Sequence, residues 1–411
     1  MGKRKSKNLM TVIVKEARRL RFCDITDMIK LILLYIPGQI YKKRHPDIWV
    51  IAEYPENARD NGYWLFRYIR LNYPEKEVYY PIKNDSSDYK KVCSLGNTVK
   101  FGSVKHFLLF WAANKYIGTT QNHGFPNRMV CGGLTALKVH RFKYVFLNHG
   151  FARGHSPSVY EPQTYYDLIF AMNKLEKDII ININHQPKSK VVDLGFCRFD
   201  NLDNGEKQDN LIVIMPTWRE WLDFRYEKDK QNVENMKAEF LKSKYYTEWN
   251  RLLSNQKLLS YLDENDLYVI FYLHGYAQNY LNYFEAKSKR IILAKKENYF
   301  VQELLKQGAF LVTDYSSVVF DFSYMKKPMA YYQFDSEEFA EKQYAESSMY
   351  TYLDNGFGPV LKNCEEVVDA IIESHKQDFH MEEKYLHRVE EFFNYFDKDH
   401  CKRIFQEIDR L

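Results

Sequence analysis

Twelve short apolar runs, separated by stretches with apolar residues at helical spacing, restrict this 411-residue chain to a narrow set of folds. The first series lies near Trp49–Glu53, Val78–Pro81, Thr98–Phe101, Tyr116–Thr119, Tyr144–Asn148, Leu168–Met172 and Val191–Leu194. Each run suits a buried strand and is too short for a helix. Helices are expected at Gly62–Asn72, Val104–Ala113 and Lys174–Asn182. A second series follows at Leu211–Met215, Leu267–Leu273, Arg290–Leu293, Ala309–Thr313 and Met329–Tyr332. Alternation of strand and helix predicts parallel sheets covered on both faces. The polar stretch Asp200–Asn210, with Gly205, is the candidate link between two such units. The expected boundaries are an N-terminal segment 1–46, a first α/β domain 47–204, and a second domain 205–411 that carries the C-terminal helices.

Composition narrows the chemistry only where it excludes something. A net charge of +5 favours an anionic ligand or surface and does not call for nucleic acid. The 33 Tyr and 28 Phe suit core, saccharide and membrane-interface contacts alike, so they choose among none of these. The six cysteines are scattered with no close pair, which argues against a zinc site or a disulfide framework and suits a reducing compartment. No Walker A or His–Glu zinc spacing is present, so neither metal catalysis nor ATP hydrolysis is expected, and no cofactor is implied.

Three strand ends carry the candidate chemistry, because ligands in open α/β sheets gather at the carboxyl ends of strands. Tyr144–Leu147 leads to Asn148-His149-Gly150, where an imidazole beside an uncrowded backbone suits a general base. Leu211–Met215 leads to Pro216-Thr217-Trp218-Arg219, with the guanidinium expected at the cleft as a phosphate fork. Tyr268–Leu273 leads to His274, placed to stabilise or protonate a leaving phosphate. The stretch Ala309–Tyr332 adds a strand, a turn Asp314-Tyr315-Ser316-Ser317, a helix from Val318 to Lys326, and a strand after Pro328. A hydroxyl-rich helix start offers backbone N–H groups and Ser hydroxyls to a phosphate, and equally describes an ordinary capped helix. Asp321 lies four residues beyond Ser317 and is expected on the same face.

Thr313-Asp-Tyr-Ser-Ser317, a helix containing Asp321, and Lys327-Pro328 before an aromatic strand ending at Asp335 together resemble the C-terminal signature of the CDP-glycerol glycerophosphotransferase family. Asp60-Asn61-Gly62, Asn148-His149-Gly150, Pro216-Thr217-Trp218-Arg219 and His274-Gly275 resemble further family segments in the same order. The chain departs from the family pattern at Asn148, where Trp is usual, at Phe151-Ala-Arg153-Gly-His155, which replaces a Lys-containing pattern, and at Gly275, where Pro is usual. The resemblance implies alditol-phosphate transferases of teichoic-acid and capsule synthesis. Two Rossmann-like halves facing a cleft, with no GxGxxG, read as a GT-B architecture.

On that basis His149 and His274 are expected to be catalytic. Arg219, Thr217, Asp314, Ser316, Ser317 and Asp321 would hold the donor, and Asn61 and Gly150 would touch the acceptor. The donor would be CDP-glycerol or CDP-ribitol, the acceptor a lipid-linked or polymeric glycan, and the released nucleotide CMP. A GT-B nucleotide-sugar glycosyltransferase and a non-catalytic membrane scaffold are the other readings. Association as a homo-oligomer is left open.

The first fifty residues differ from the rest. Lys3, Arg4, Lys5, Lys7, Lys15, Arg18, Arg19 and Arg21 face a lone Glu16, and an apolar stretch from Met28 to Ile36 follows. Basic residues flanking an apolar helix too short to span predict a segment lying on an anionic membrane surface, at the cytoplasmic face of a bacterial membrane. A core-packed first helix behind a solvated basic tail is the alternative.

Overall fold

The computed structural model describes residues 21–411 except 204, 206, 224–226, 228 and 344–348. The basic residues Lys3 to Arg19 lie outside this range. Two parallel sheets account for every expected strand. The first comprises β1 (Trp49–Ala52), β2 (Val78–Ile82), β3 (Thr98–Lys100), β4 (Lys115–Gly118), β5 (Lys143–Phe146), β6 (Leu168–Ala171) and β7 (Val191–Asp193), in the order β3-β2-β1-β4-β5-β6-β7. The second comprises β8 (Leu211–Met215), β9 (Tyr268–Phe271), β10 (Ile291–Leu293), β11 (Phe310–Thr313), β12 (Met329–Tyr332) and β13 (Val360–Leu361), in the order β10-β9-β8-β11-β12-β13. Only β13, a two-residue edge strand, was not foreseen from the apolar runs.

The strands read as continuous apolar runs because both faces are covered, and β1, β2, β8, β11 and β12 are buried at every position. Strand order reverses between β1 and β4 in one sheet and between β8 and β11 in the other. These switch points are where such sheets open a crevice for ligands.

The last helix, His400–Asp409, crosses back from the second unit and packs on the helix Asn61–Asn72 of the first. Its apolar side (Cys401, Ile404, Phe405, Ile408) joins the cluster that covers Trp49, with the Phe405 and Trp49 rings 5.7 Å apart. Asp200 anchors the helix start, accepting the backbone N–H groups of His400 and Cys401 at 2.8 Å each. Gly195 makes room for it: a Cβ there would stand 2.2 Å from the His400 ring.

The helix Phe22–Arg44 packs along Val104–Ala112. Leu31 and Gly38 are buried in that contact, and a Cβ on Gly38 would meet the Trp111 Cβ at 2.5 Å, so the two helices touch backbone to side chain. The opposite face of the same helix is uncovered among the described residues. Ile32, Leu33 and Ile36 are 67%, 69% and 67% exposed, and Ile25, Ile29 and Ile40 continue the stripe at helical spacing. No described helix is long and apolar enough to cross a membrane.

Candidate active site between the two sheets

The loop after β5 is built around one buried carboxylate. Asn148 takes a left-handed backbone conformation (φ 61°), which Asn tolerates better than most residues. Its amide donates to Glu176 at 2.9 Å, and its own side-chain oxygen accepts the His149 N–H at 2.9 Å. Glu176 also accepts the backbone N–H groups of Ala152 and Met172, both at 2.6 Å. Burial pushes the Glu176 carboxyl up to about 7 in spite of those donors.

This loop leaves His149 exposed with its Nδ1 3.0 Å from the Thr119 carbonyl. A carbonyl can only accept, so Nδ1 carries the proton and the neutral ring presents its Nε2 lone pair to the cleft. His123, which nothing in the sequence singles out, lies close enough to His149 for their charges to interact, and burial lowers it to about 4. Its ring sits 4.3 Å from that of Tyr54. His155 instead stacks near Tyr160, 4.8 Å ring to ring.

The Asp60-Asn61-Gly62 segment is likewise organised from below. Glu53, at the end of β1, accepts backbone N–H groups of Arg59, Asp60 and Tyr63 at 2.7 to 3.2 Å. Burial, reinforced by the Asp60 carboxylate, raises it to about 7. Gly62 is required by this packing, since a Cβ there would lie 2.9 Å from Glu53 Cγ. Asn61 is fully buried and bridges loops, donating to the Asn148 carbonyl at 2.9 Å and accepting the Arg198 N–H at 3.1 Å. The expectation that it touches an acceptor is therefore corrected: its amide is held inside the protein.

Arg198, which the sequence offered no reason to notice, ties both sheets together. Its guanidinium forks onto Asp321 at 2.6 and 2.9 Å, and its Nη1 donates to Asp60 at 2.9 Å and to the His149 carbonyl at 3.1 Å. Asp321 is buried in this pairing with Arg198, whereas its spacing to Ser317 had predicted a ligand-facing carboxylate.

Arg219 is corrected in the same way. Its side chain is 0% exposed, with Nε and Nη2 on Asp335 at 2.8 and 3.1 Å, Nη2 on Asp314 at 2.8 Å, and Nη1 on the Thr217 carbonyl at 2.7 Å. Asp314 additionally accepts the backbone N–H groups of Thr217 at 2.8 Å and Tyr315 at 2.6 Å. Thr217, Asp314 and Arg219 thus form an internal brace across the ends of β8, β11 and β12. The brace fixes the turn that follows β11.

At that turn Ser317 is exposed and makes no side-chain cap to the helix Val318–Tyr324, while Ser316 is half-buried. Ser317 meets the His149 loop directly, because a Cβ on Gly150 would stand 3.4 Å from its Oγ. His274 is exposed beyond β9, its ring 6.2 Å from Trp218 and nearly parallel to it. Here the Tyr276 N–H donates to Nδ1 at 3.2 Å, so the neutral ring carries its proton on Nε2. The two histidines hold opposite tautomers, His149 with an open lone pair and His274 with an N–H. The two units also meet through Phe151 and Phe320, 4.6 Å ring to ring.

Comparison with known proteins agrees with this fold. The minor teichoic acid biosynthesis protein GgaB of Bacillus subtilis is 31% identical over 369 residues, covering 89% of this chain and 40% of that protein. The teichoic acid poly(glycerol phosphate) polymerase of Bacillus spizizenii is 26% identical over 49% of this chain and 45% of its own length. The chain thus spans less than half the length of these relatives. Among solved structures, the wall teichoic acid polymerase TagF superposes with a TM-score of 0.63 at 14% identity, over 95% of this chain and 98% of that one. A Listeria monocytogenes protein described as a UDP-N-acetylglucosamine 2-epimerase superposes at 0.54 with 12% identity, over 88% and 96% of the two chains, so the fold reaches beyond one chemistry. The sequence profile described as CDP-glycerol:poly(glycerophosphate) glycerophosphotransferase matches residues 38–410, and the chain belongs to that family.

Proposed function

We propose that this protein transfers glycerol phosphate or ribitol phosphate from a CDP-alditol to a hydroxyl of a lipid-linked or polymeric glycan of teichoic-acid or capsule type. The observation that carries this reading is the pair of histidines with complementary tautomers, one at a strand end of each sheet. The acceptor oxygen attacks the phosphorus that bears the alditol, and the bond from that phosphorus to the oxygen bridging it to CMP breaks. The acceptor proton passes to Nε2 of His149, held for it by the Thr119 carbonyl. The Nε2–H of His274 meets the negative charge that grows on the departing CMP phosphate. Ser316 and Ser317 bind the pyrophosphate, and Gly150 keeps the acceptor side of the cleft open. Positioning and electrostatics suffice for such a transfer. The teichoic-acid roles named for the relatives support the reading, as does a solved structure of TagF with CDPG.

The uncovered stripe of the first helix lies on an anionic membrane surface at the cytoplasmic face. Lys43 and Arg44 are exposed at its end, and Leu137 and Val139 extend the apolar area beside it, 64% and 45% exposed. Such a position brings the cleft to a lipid-linked acceptor.

The deciding experiment incubates the protein with CDP-glycerol, CDP-ribitol and UDP-sugars and follows the released nucleotide. CMP from a CDP-alditol is the expected product. UDP from a UDP-sugar would make the protein a glycosyltransferase on the same fold, and no turnover with any donor would leave a scaffold.

A further inference from the structure

Arg153, Arg198 and Arg219 differ in what balances their charge. Arg198 holds two carboxylates, Asp60 and Asp321, and Arg219 holds Asp314 and Asp335. Arg153 holds none among the described residues. Its Nη1 donates to the Tyr315 carbonyl at 2.6 Å and to the Tyr352 hydroxyl, its Nη2 donates to the Ser316 carbonyl at 3.0 Å, and its Nε is buried without a partner. The rings of Phe320 and Tyr352 lie 5.6 and 5.0 Å from the guanidinium carbon. Arg153 is half-buried, and a guanidinium partly withdrawn from water with no carboxylate in contact is costly, so its place here calls for a reason.

The two carbonyls it grips provide one. A trans peptide carries its C=O and N–H on opposite edges, and no peptide in the described chain is cis. Holding the carbonyls of Tyr315 and Ser316 therefore turns the N–H groups of Ser316 and Ser317 away from Arg153. Neither N–H has an acceptor among the described residues. Two successive N–H groups without acceptors among the described residues leave donors for an anion, and the Ser317 hydroxyl stands opposite Gly150.

We propose that Arg153 is the positioning residue of the donor-phosphate site: it holds both peptides from behind so that their N–H groups face the pyrophosphate, and its charge, which no carboxylate among the described residues contacts, adds to their field. The inference rests on the donor assignment made above. It moves the cationic role from Arg219, which is internally neutralised, to a residue of the other sheet's unit. Donor binding is thereby tied to the loop that carries His149.

The test uses the full chain and calorimetry with CDP and with cytidine, alongside CMP release from CDP-glycerol and CDP-ribitol. Arg153→Gln is expected to weaken CDP binding by about 10- to 100-fold, the scale of lost charge-assisted contacts, and to leave cytidine binding unchanged. Arg153→Lys keeps the charge but not the fork, so it should recover part of the CDP affinity, and raised salt should weaken CDP binding more in the wild type than in Arg153→Gln. If Arg153→Gln does not fold, the lysine variant is read alone, and wild-type CDP affinity in it overturns the proposal. Equal CDP affinity in wild type and Arg153→Gln, or equal loss of CDP and cytidine, also overturns it. A wild-type protein that releases no CMP refutes the donor assignment itself, whereas normal CMP release by Arg153→Gln refutes only the role of Arg153.

Discussion

Arg198 and Asp321 meet face to face, two nitrogens on two oxygens at 2.6 and 2.9 Å, and this pair joins the unit built on the first sheet to that built on the second. The same guanidinium holds the His149 carbonyl at 3.1 Å, so the His149 loop is referenced to the helix behind the serine turn. Breaking one side of a buried pair leaves a charge without compensation. Asp321→Asn should therefore lower stability by about 3–5 kcal/mol, read by urea denaturation. An unchanged midpoint together with lost donor affinity would return Asp321 to the ligand site.

His149→Ala should reduce turnover by about 10²- to 10⁴-fold while CDP-alditol binding stays near that of the wild type. The Nδ1 contact to the Thr119 carbonyl leaves Nε2 as the only basic nitrogen of the neutral ring. Steady-state CMP release with calorimetry on the same preparation checks this. Near wild-type turnover in a folded variant would remove the residue from the reaction.

Glu176 gives the protein a pH dependence of known sign. Burial raises its carboxyl from an ordinary 4.5 to about 7, so the folded state binds more protons than the unfolded one between those values. Its favourable contribution is complete below about 4.5 and is lost as pH rises through 7. Denaturant midpoints measured between pH 5 and pH 8 should show the wild type losing on the order of 2–3 kcal/mol relative to Glu176→Gln over that range. A difference between the two proteins that does not vary with pH would mean that Glu176 is ionised throughout.

The first helix should bind anionic vesicles through its uncovered face. Replacing Ile29, Ile32 and Ile36 with Ser removes exposed apolar area without touching Leu31 or Gly38, which pack on Trp111 and its helix. Co-sedimentation at low and high salt should fall for this variant under both conditions, because the apolar contribution resists screening and the basic one does not. Equal sedimentation of variant and wild type would place membrane contact elsewhere.

Much of the fold was legible in local pattern. Leu211–Met215 and Met329–Tyr332 coincide with β8 and β12, because a strand buried on both faces must be apolar throughout and short. The positions of His149, His274 and Ser317 at strand ends followed from the same pattern, and all three side chains are exposed where ligands gather. The roles of Asn61, Arg219 and Asp321 did not follow. A motif names residue types at a spacing, but whether a guanidinium faces a cleft or two carboxylates depends on partners over a hundred residues away, as between Arg219 and Asp335 or Arg198 and Asp321. Local periodicity is a property of neighbouring residues and survives in the sequence. Charge compensation is a property of the folded interior, where a buried ion must find its partner, so only the tertiary structure separates Arg198 and Arg219, each matched by carboxylates, from Arg153, which has none among the described residues.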